Sequence, residues 1–198
     1  MTGSAAVTDA DTLKIAGETI RLDAVDAPEL SQSCLTSKGE QQRCGIVAKQ
    51  ALIEFIDGRT IVCRGEDVDA YGRWIARCYL ERQEISTWLV SQGHALAYRL
   101  FSERLVAAEN QARLAGRGIW QTKFQSPWDY RRERWQVASQ TAPDGCPIKG
   151  NINRKGEKIY HTPWGSAHYN RTKISLAKGE RWFCDEAEAL AAGWRRAR

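Results

Sequence analysis

Long apolar runs are missing from this chain of 198 residues, since none approaches the ~20 residues that a membrane-spanning helix needs. Residues 1–4 have neither a basic region nor an apolar region, so we expect no signal peptide in this chain. Internal repeats and low-complexity tracts are also absent. What remains is 42% hydrophobic and 27% charged, a composition that favours a packed globular protein over a disordered one.

The net charge of +5 is concentrated near the C-terminal end of the sequence. Residues 1–140 carry 18 basic and 18 acidic side chains, whereas residues 141–198 carry 11 and 6. A basic segment favours a polyanionic partner such as nucleic acid, an acidic polysaccharide or a membrane surface. A merely solvated basic face is an equally good interpretation.

Six cysteines fall into three sequential pairs: Cys34 with Cys44, Cys63 with Cys78, and Cys146 with Cys184. A hairpin that turns between Ala70 and Tyr71 would place Cys63 directly opposite Cys78. Three disulfides would imply an oxidising compartment, so we expect an extracytoplasmic (periplasmic or secreted) protein. Buried reduced thiols are the alternative.

The hydrophobic pattern predicts short strands followed by helices. Period-two segments predict strands at 12–15, 19–25, 60–64 and 73–80, with a brief strand-like run at 94–98. Apolar stripes and caps predict helices at about 40–57, from Ser86 or Thr87 to Gly93, and at 103–115. We therefore predict a β-barrel plus helices (α+β), with five strands, three helices and a small C-terminal module.

A stretch rich in Ser, Thr, Pro and Gly divides the chain. It covers residues 138–145 and is predicted to be a linker. Residues 1–137 then form the first domain, and residues 146–198 form a small basic module that contains cysteine and tryptophan.

Two carboxylates and two arginines suggest phosphodiester chemistry in the first domain. Asp11 and Asp26 lie at strand ends, where neighbouring carboxylates would repel each other unless a cation such as Ca²⁺ lay between them. Glu29 follows closely and could activate a water molecule. Arg21 and Arg73 supply planar, permanently charged groups that match phosphate oxygens.

These residues resemble the thermonuclease family, the staphylococcal nuclease-like proteins, over roughly residues 5–130. The matching segments include Asp11-Thr12-Leu13, Ile20-Arg21-Leu22, Val25-Asp26-Ala27-Pro28-Glu29, Cys44-Gly45, Asp69 with Tyr71-Gly72-Arg73, and Gly118-Ile119-Trp120.

The resemblance implies an OB-fold and Ca²⁺-dependent cleavage of DNA and RNA that leaves 3′-phosphate ends. It assigns the calcium ion to the carboxylates of Asp11 and Asp26 and to the backbone carbonyl of Ala27. It assigns phosphate binding to Arg21 and Arg73, and the role of general base to Glu29. Tyr71 would lie where a base could stack, and we expect a monomer.

The sequence departs from the family pattern at two positions. Ala10 replaces the glycine of the usual Asp-Gly-Asp, so a positive φ at this position would strain the backbone beside Asp11. Ala27 stands where threonine is common, which keeps the carbonyl but removes a hydroxyl.

The C-terminal module leaves two questions open. Cys146, His161, His168 and Cys184 could bind zinc by type, but the spacing is wide, and a disulfide between the two cysteines is the stronger prediction. Its tryptophans either form the core of the module or a face that stacks on nucleic acid beside lysines such as Lys149.

Three functions follow from these observations. The first is a calcium-dependent, sugar-nonspecific nuclease. The second is a catalytically weak OB-fold protein that binds nucleic acid. The third is an interaction protein of the cell envelope or of exopolysaccharide, with an acidic polymer bound at the C-terminal module.

Overall fold

The computed structural model of the protein describes residues 1–165 and 168–197. The chain divides into two compact units, Met1–Pro127 and Trp128–Arg198. In the described ranges, no helix has the length and apolar character that crossing a membrane would require.

The first unit contains ten strands, several of only two residues, and three α-helices. In chain order they are β1 (Thr2–Asp9), β2 (Thr12–Ile15), β3 (Glu18–Leu22), β4 (Val25–Asp26), β5 (Cys34–Leu35), β6 (Gln41–Gln42), α1 (Cys44–Ile56), β7 (Thr60–Val68), β8 (Trp74–Leu80), β9 (Gln83–Glu84), α2 (Ile85–Ser91), β10 (Leu96–Ala97) and α3 (Val106–Leu114). A 3₁₀ helix follows at Gly118–Gln121.

Five of these strands close into a barrel. Strands β3, β2, β1, β7 and β8 are neighbours in that order, and β8 returns to pair with β3. The β3–β8 pair is parallel, and the others are antiparallel. Alternate side chains of the strands fill the interior, with Leu13, Ile20 and Ile61 almost fully buried. The predicted five-stranded OB-type barrel with three helices is confirmed.

The β7–β8 hairpin confirms the predicted pairing of two cysteines. Cys63 lies opposite Cys78, and the two form a disulfide. Nearer the turn the register shifts by one residue at a bulge between Arg64 and Asp67. Gly65 lies in this bulge, where a Cβ atom would come within 2.1 Å of the carbonyl oxygen of Ile75. The strand therefore bends at a position that only glycine fits.

Several predicted boundaries are wrong. The predicted helix at 40–57 begins only at Cys44, because residues 41–42 are extended and pair with β5. The predicted strand at 19–25 is broken after Leu22 by a turn, and the helix predicted from 103 begins at Val106. Strand β1 was not predicted at all, although it pairs with both β2 and β7.

The second unit is a small sheet with two helices. Its elements are α4 (Pro127–Ser139, which begins on the last residue of the first unit), β11 (Ile148–Ile152), β12 (Lys158–His161), β13 (Arg181–Phe183), α5 (Glu186–Ala191) and β14 (Arg195–Arg196). The sheet order is β13-β11-β12-β14, and a 3₁₀ helix lies at Pro143–Gly145. The linker at 138–145 stays a prediction.

The core of this unit answers the question about the cysteines, and it answers the question about the tryptophans for one of them. Cys146 and Cys184 form a disulfide, as preferred over zinc, and His161 instead contacts Asn151 Oδ1 through Nε2 at 2.8 Å. Trp194 is 4% exposed and packs with Phe183 in the core. The alternative of a nucleic-acid-stacking face is therefore wrong for Trp194.

Candidate functional site

The barrel brings three of the predicted charged residues, Asp11, Arg21 and Asp26, together. Asp11 lies in the turn between β1 and β2, directly before Thr12, and Thr12 is paired with Arg21 on β3. Asp26 ends the short strand β4, which pairs with β10. These local pairings place three residues that are 15 positions apart or less on adjoining backbone segments.

One guanidinium group joins the two predicted calcium carboxylates. Arg21 Nη1 lies 2.9 Å from Asp11 Oδ2, and Arg21 Nη2 lies 3.5 Å from Asp26 Oδ1. The Asp26 side chain is fully buried, whereas those of Asp11 and Arg21 are about one-seventh exposed. Because buried charges are stable only when they are paired, this arrangement explains how the barrel accommodates Asp26.

Hydrogen bonds fix the Asp11 carboxylate in place. The backbone N–H of Ala27 donates to Oδ2 at 2.9 Å, and the Thr12 hydroxyl donates to Oδ1 at 3.0 Å. Burial by itself would raise the pKa of Asp11, but the charge of Arg21 and the N–H of Ala27 outweigh it and hold that pKa below its ordinary value. The carboxylate is therefore ionised at neutral pH.

Arg73 lies near these residues, directly before β8. It precedes Trp74, which is paired with Ile20 in the parallel β3–β8 ladder, and its charge contributes to the lowered pKa of Asp11. Asp69 holds its guanidinium, with Nε and Nη2 both 2.7 Å from Oδ2. The Tyr71 ring lies 5.2 Å from the Arg73 guanidinium carbon.

Glu29 lies three residues beyond Asp26, in a loop that hydrogen bonds of Gln32 hold in place. The backbone N–H of Glu29 donates to Gln32 Oε1 at 3.2 Å, and Gln32 Nε2 donates to the Gln125 carbonyl at 2.7 Å. Gln32 is fully buried. Helix α1 packs so closely on this loop that a Cβ atom on Gly45 would lie 1.9 Å from the Glu29 carbonyl oxygen.

Sequence reasoning missed Gln32 and gave no role to Asp69, although Asp69 belongs to the motif that contains Arg73. The ion pair of Asp69 with Arg73 could have been predicted, since an aspartate four residues before an arginine across a tight turn is well placed to pair with it. The contacts of Gln32 could not, because its second partner is 93 positions away in the chain.

The predicted strain at Ala10 is not observed. Ala10 is fully buried and is not among the non-glycine residues with positive φ in the described ranges. Ala24, two residues before Asp26, instead adopts φ 62°. The positive φ that favours glycine thus occurs at Ala24, in the turn that leads into β4, and not at Ala10.

The residues present fit a hard cation in type. Asp11 and Asp26 flank a single positively charged group, so both carboxylates lie within reach of one cation. Within residues 1–165 and 168–197, no group of three or more His, Cys, Asp or Glu side chains is arranged to hold a metal ion. A cation here would therefore depend on two carboxylates, completed by backbone carbonyls and water.

A separate cavity of about 290 Å³ adjoins the Glu29 loop. Pro28 and His94 line it, together with polar side chains that include Ser37 and Thr122. Burial lowers the pKa of His94. None of the predicted catalytic or metal-binding residues lines this cavity.

Comparison with known proteins identifies the family of the barrel unit. A family model described as staphylococcal nuclease homologue matches residues 19–122, which is more than half of the chain. The chain belongs to the staphylococcal nuclease family. The resemblance inferred from the motifs is therefore confirmed, and a second family model, described as ArfC, matches residues 136–196.

Three curated relatives are similar to parts of this chain to different extents. Succinoglycan biosynthesis protein ExoI of Rhizobium meliloti is 36% identical over 124 residues, which are 61% of this chain and 65% of ExoI. Probable staphylococcal-like nuclease CAN2 of Oryza sativa is 30% identical over 118 residues (58% and 29%). An uncharacterized endonuclease of Haemophilus influenzae is 29% identical over 103 residues (51% and 52%). The chain spans less than two thirds of each relative.

Proposed function

We propose that this protein is a calcium-dependent, sugar-nonspecific nuclease that hydrolyses DNA and RNA to products with 3′-phosphate ends. At the level of the family, nuclease chemistry is supported by relatives named as nucleases and endonucleases. The observation that most supports the specific proposal is the sharing of Arg21 between Asp11 and Asp26. This arrangement brings two carboxylates that could bind a cation next to a guanidinium group that could bind phosphate.

In the proposed reaction, Glu29 accepts a proton from a water molecule as the water oxygen attacks phosphorus. The bond between phosphorus and the 5′-oxygen breaks, the 5′-oxygen takes up a proton from solvent, and the phosphate stays on the 3′-oxygen. Arg21 and Arg73 bind the phosphate oxygens, whose negative charge grows in the transition state. Asp69 keeps the Arg73 fork oriented for this contact.

Asp11, Asp26 and the carbonyl oxygen of Ala27 would hold Ca²⁺. When bound, the ion would supply positive charge that offsets the charge of the phosphate. Because Arg21 contacts both carboxylates, it would have to give up part of that pairing to bind phosphate, and cation binding compensates the carboxylates for this loss. Tyr71, next to Arg73, would stack on a base of the substrate.

Three disulfides are typical of proteins from extracytoplasmic environments. We propose that the protein works as a monomer in the periplasm or outside the cell. Free nucleic acid in such a compartment would be its substrate.

The test is hydrolysis of labelled single-stranded DNA and RNA, with Ca²⁺ and with a chelator. We expect both polymers to be cleaved only when Ca²⁺ is present, and the new 3′ ends to lose phosphate to a 3′-phosphatase. Cleavage in chelator, or products with 5′-phosphates, would contradict the proposal. Binding without cleavage would favour the catalytically weak OB-fold protein.

A second candidate function rests on one relative. ExoI is named as a succinoglycan biosynthesis protein, and it is 36% identical to the matched part of this chain. An association with exopolysaccharide, through an acidic polymer bound at the C-terminal module, is therefore kept as the alternative. Retention of the protein on an immobilised acidic polysaccharide, together with no nuclease activity, would favour it.

A further inference from the structure

Several exposed basic residues of the second unit lie in or beside one hairpin of its sheet. Strand β11 runs from the Cys146–Cys184 disulfide towards the turn that joins it to β12. Acidic residues cluster near the disulfide, at Asp144, Asp185 and Glu186. Five exposed basic side chains lie in the β11–β12 hairpin or in the segment that precedes β13, and we name them the basic end: Arg154, Lys155, Lys158, Lys173 and Lys178.

Three residues of the basic end belong to the β11–β12 hairpin. Arg154 and Lys155 are in its turn, and Lys158 is the first residue of β12, paired with Ile152. Asn153 Oδ1 shapes the turn by accepting the backbone N–H groups of Lys155 and Glu157 at 2.9 and 3.0 Å. The turn therefore holds these positive charges close together.

The other two lysines lie in a segment that a buried carboxylate holds in place. Glu180 Oε1 accepts the N–H of Ile152 at 3.0 Å, and Glu180 Oε2 accepts the N–H of Ser175 at 2.7 Å. This bridge ties the segment that contains Lys173 and Lys178 to the last residue of β11. The segment on which these two lysines lie is thus fixed to the strand that leads into the hairpin.

Two carboxylates lie beside the basic end, that of buried Glu180 and that of exposed Glu157, whose pKa is lowered by the Asn153 amide, by Arg195 and by the charge of Lys155. Glu180 is 6% exposed and is satisfied by the two backbone amides. Glu157 is engaged by the Asn153 amide and by Arg195. In the part of the chain that the structure describes, none of the five basic residues forms an ion pair with a carboxylate. Like charges held together in this way do not stabilise a fold, but they attract a polyanion.

Lys149 shows the contrasting, structural use of a lysine in the same unit. Its ammonium donates to the carbonyl oxygens of Tyr169 and Thr172 at 3.0 and 2.9 Å, and burial lowers its pKa. Lys149 therefore holds the 169–172 segment to the sheet and has little left to offer a ligand. The charges available to a partner are those of the basic end.

We propose that the basic end binds the phosphate backbone of single-stranded nucleic acid as a second contact for the polymer that the barrel unit cleaves. The proposal rests on the proposed nuclease function. Because both units are on one chain, a strand held by one is presented to the other at a high effective concentration, and affinity for long strands rises. Nucleic acid is chosen over other polyanions because it is the polymer that the barrel unit is proposed to cleave, and each nucleotide supplies one phosphate charge to such a cluster of basic residues.

The test is the affinity of the full chain for a labelled single-stranded oligonucleotide. It is measured in chelator, so that the proposed calcium-dependent cleavage does not occur. The variant R154Q/K155Q/K158Q is compared with K14Q/R64Q/R82Q, which removes three exposed basic charges from the first unit. We expect the first variant to bind on the order of tenfold more weakly. The slope of the logarithm of its binding constant against the logarithm of salt concentration should be smaller by about 2. The second should bind nearly as the wild type does.

Further variants and ligands distinguish the possible failures. K173Q/K178Q alters the other segment and should weaken binding in the same direction, while hydrolysis of a dinucleotide should be unchanged in all variants. Equal DNA affinity of the wild type and the hairpin variant would overturn the proposal. The proposal would also be overturned if the hairpin variant lost affinity for polyuronate but not for DNA, because that result would assign the surface to acidic polysaccharide. Failure of the proposed nuclease function would appear separately, as absent dinucleotide hydrolysis in the wild type.

Discussion

Asp69 forms an ion pair with Arg73, in which both Nε and Nη2 of the arginine lie 2.7 Å from one carboxylate oxygen, Oδ2. The other oxygen, Oδ1, accepts the backbone N–H groups of Tyr71 and Arg73, so the same side chain shapes the turn. Asp69 thus couples the conformation of the β7–β8 turn to the direction in which Arg73 points.

The variant Asp69→Asn separates these two roles. Asparagine keeps an acceptor for the turn but loses the charge that orients the arginine, so we expect nearly normal stability and about a tenfold to hundredfold loss of kcat/KM. Initial rates on single-stranded DNA measure this effect. Asp67→Asn, at an exposed position near the end of β7, is the matched control and should be silent. Unchanged kinetics of Asp69→Asn would show that Arg73 needs no partner.

Gln32 is expected to position Glu29. Gln32→Leu fills the same space but leaves the N–H of Glu29 and the carbonyl of Gln125 without this partner, at a cost of about 1–3 kcal/mol in the free energy of unfolding. Urea unfolding measures that cost. Because the Glu29 loop would shift, kcat should fall while KM changes little. If stability falls and kcat does not, Gln32 supports only the fold.

Ala24 is expected to be the strained alanine of the site. Its positive φ costs an L-residue about 1–2 kcal/mol, so Ala24→Gly should raise the free energy of unfolding by up to about 1 kcal/mol after the added freedom of the unfolded chain is counted. Ala10→Gly, at a buried position without positive φ, should lower it. Thermal or urea unfolding of both variants checks the sign. Stabilisation by Ala10→Gly instead would restore the strain predicted from the motif.

The Cys63–Cys78 disulfide is expected to stabilise the barrel without affecting catalysis. It closes a loop of sequence separation 15, so C63A/C78A should lower the free energy of unfolding by about 3 kcal/mol. The folded variant should keep the wild-type kcat, because the bridge lies in the barrel wall. A thiol assay on the unfolded wild type should find no reactive cysteine. Six reactive thiols would remove the basis for an oxidising compartment.

Local features of the sequence were enough to predict much of this protein. The cysteine register followed from hairpin geometry alone, because residues 62–64 and 77–79 pair with a constant sum of positions. The contact of Asp11 with Arg21 could be expected because Asp11 directly precedes β2, which pairs with β3. Each of these pairs is separated by one short turn.

Features that depend on distant partners could not be predicted. Strand β1 has a weak pattern of its own and is held by β2 on one side and β7 on the other. The start of α1 is set by the pairing of residues 41–42 with β5, and the Glu29 loop by a hydrogen bond to Gln125. Residue type at Ala10 likewise gave no information on its φ, which only the folded backbone determines.

The central claim is that Glu29 activates the water that cleaves the phosphodiester bond. The most direct test is the rate of single-turnover cleavage of single-stranded DNA in Ca²⁺ by Glu29→Gln, beside the exposed control Glu54→Gln. We predict a loss of about 10²–10⁴-fold for Glu29→Gln with DNA affinity retained, and wild-type rates for the control. Cleavage by Glu29→Gln at close to the wild-type rate would contradict the account.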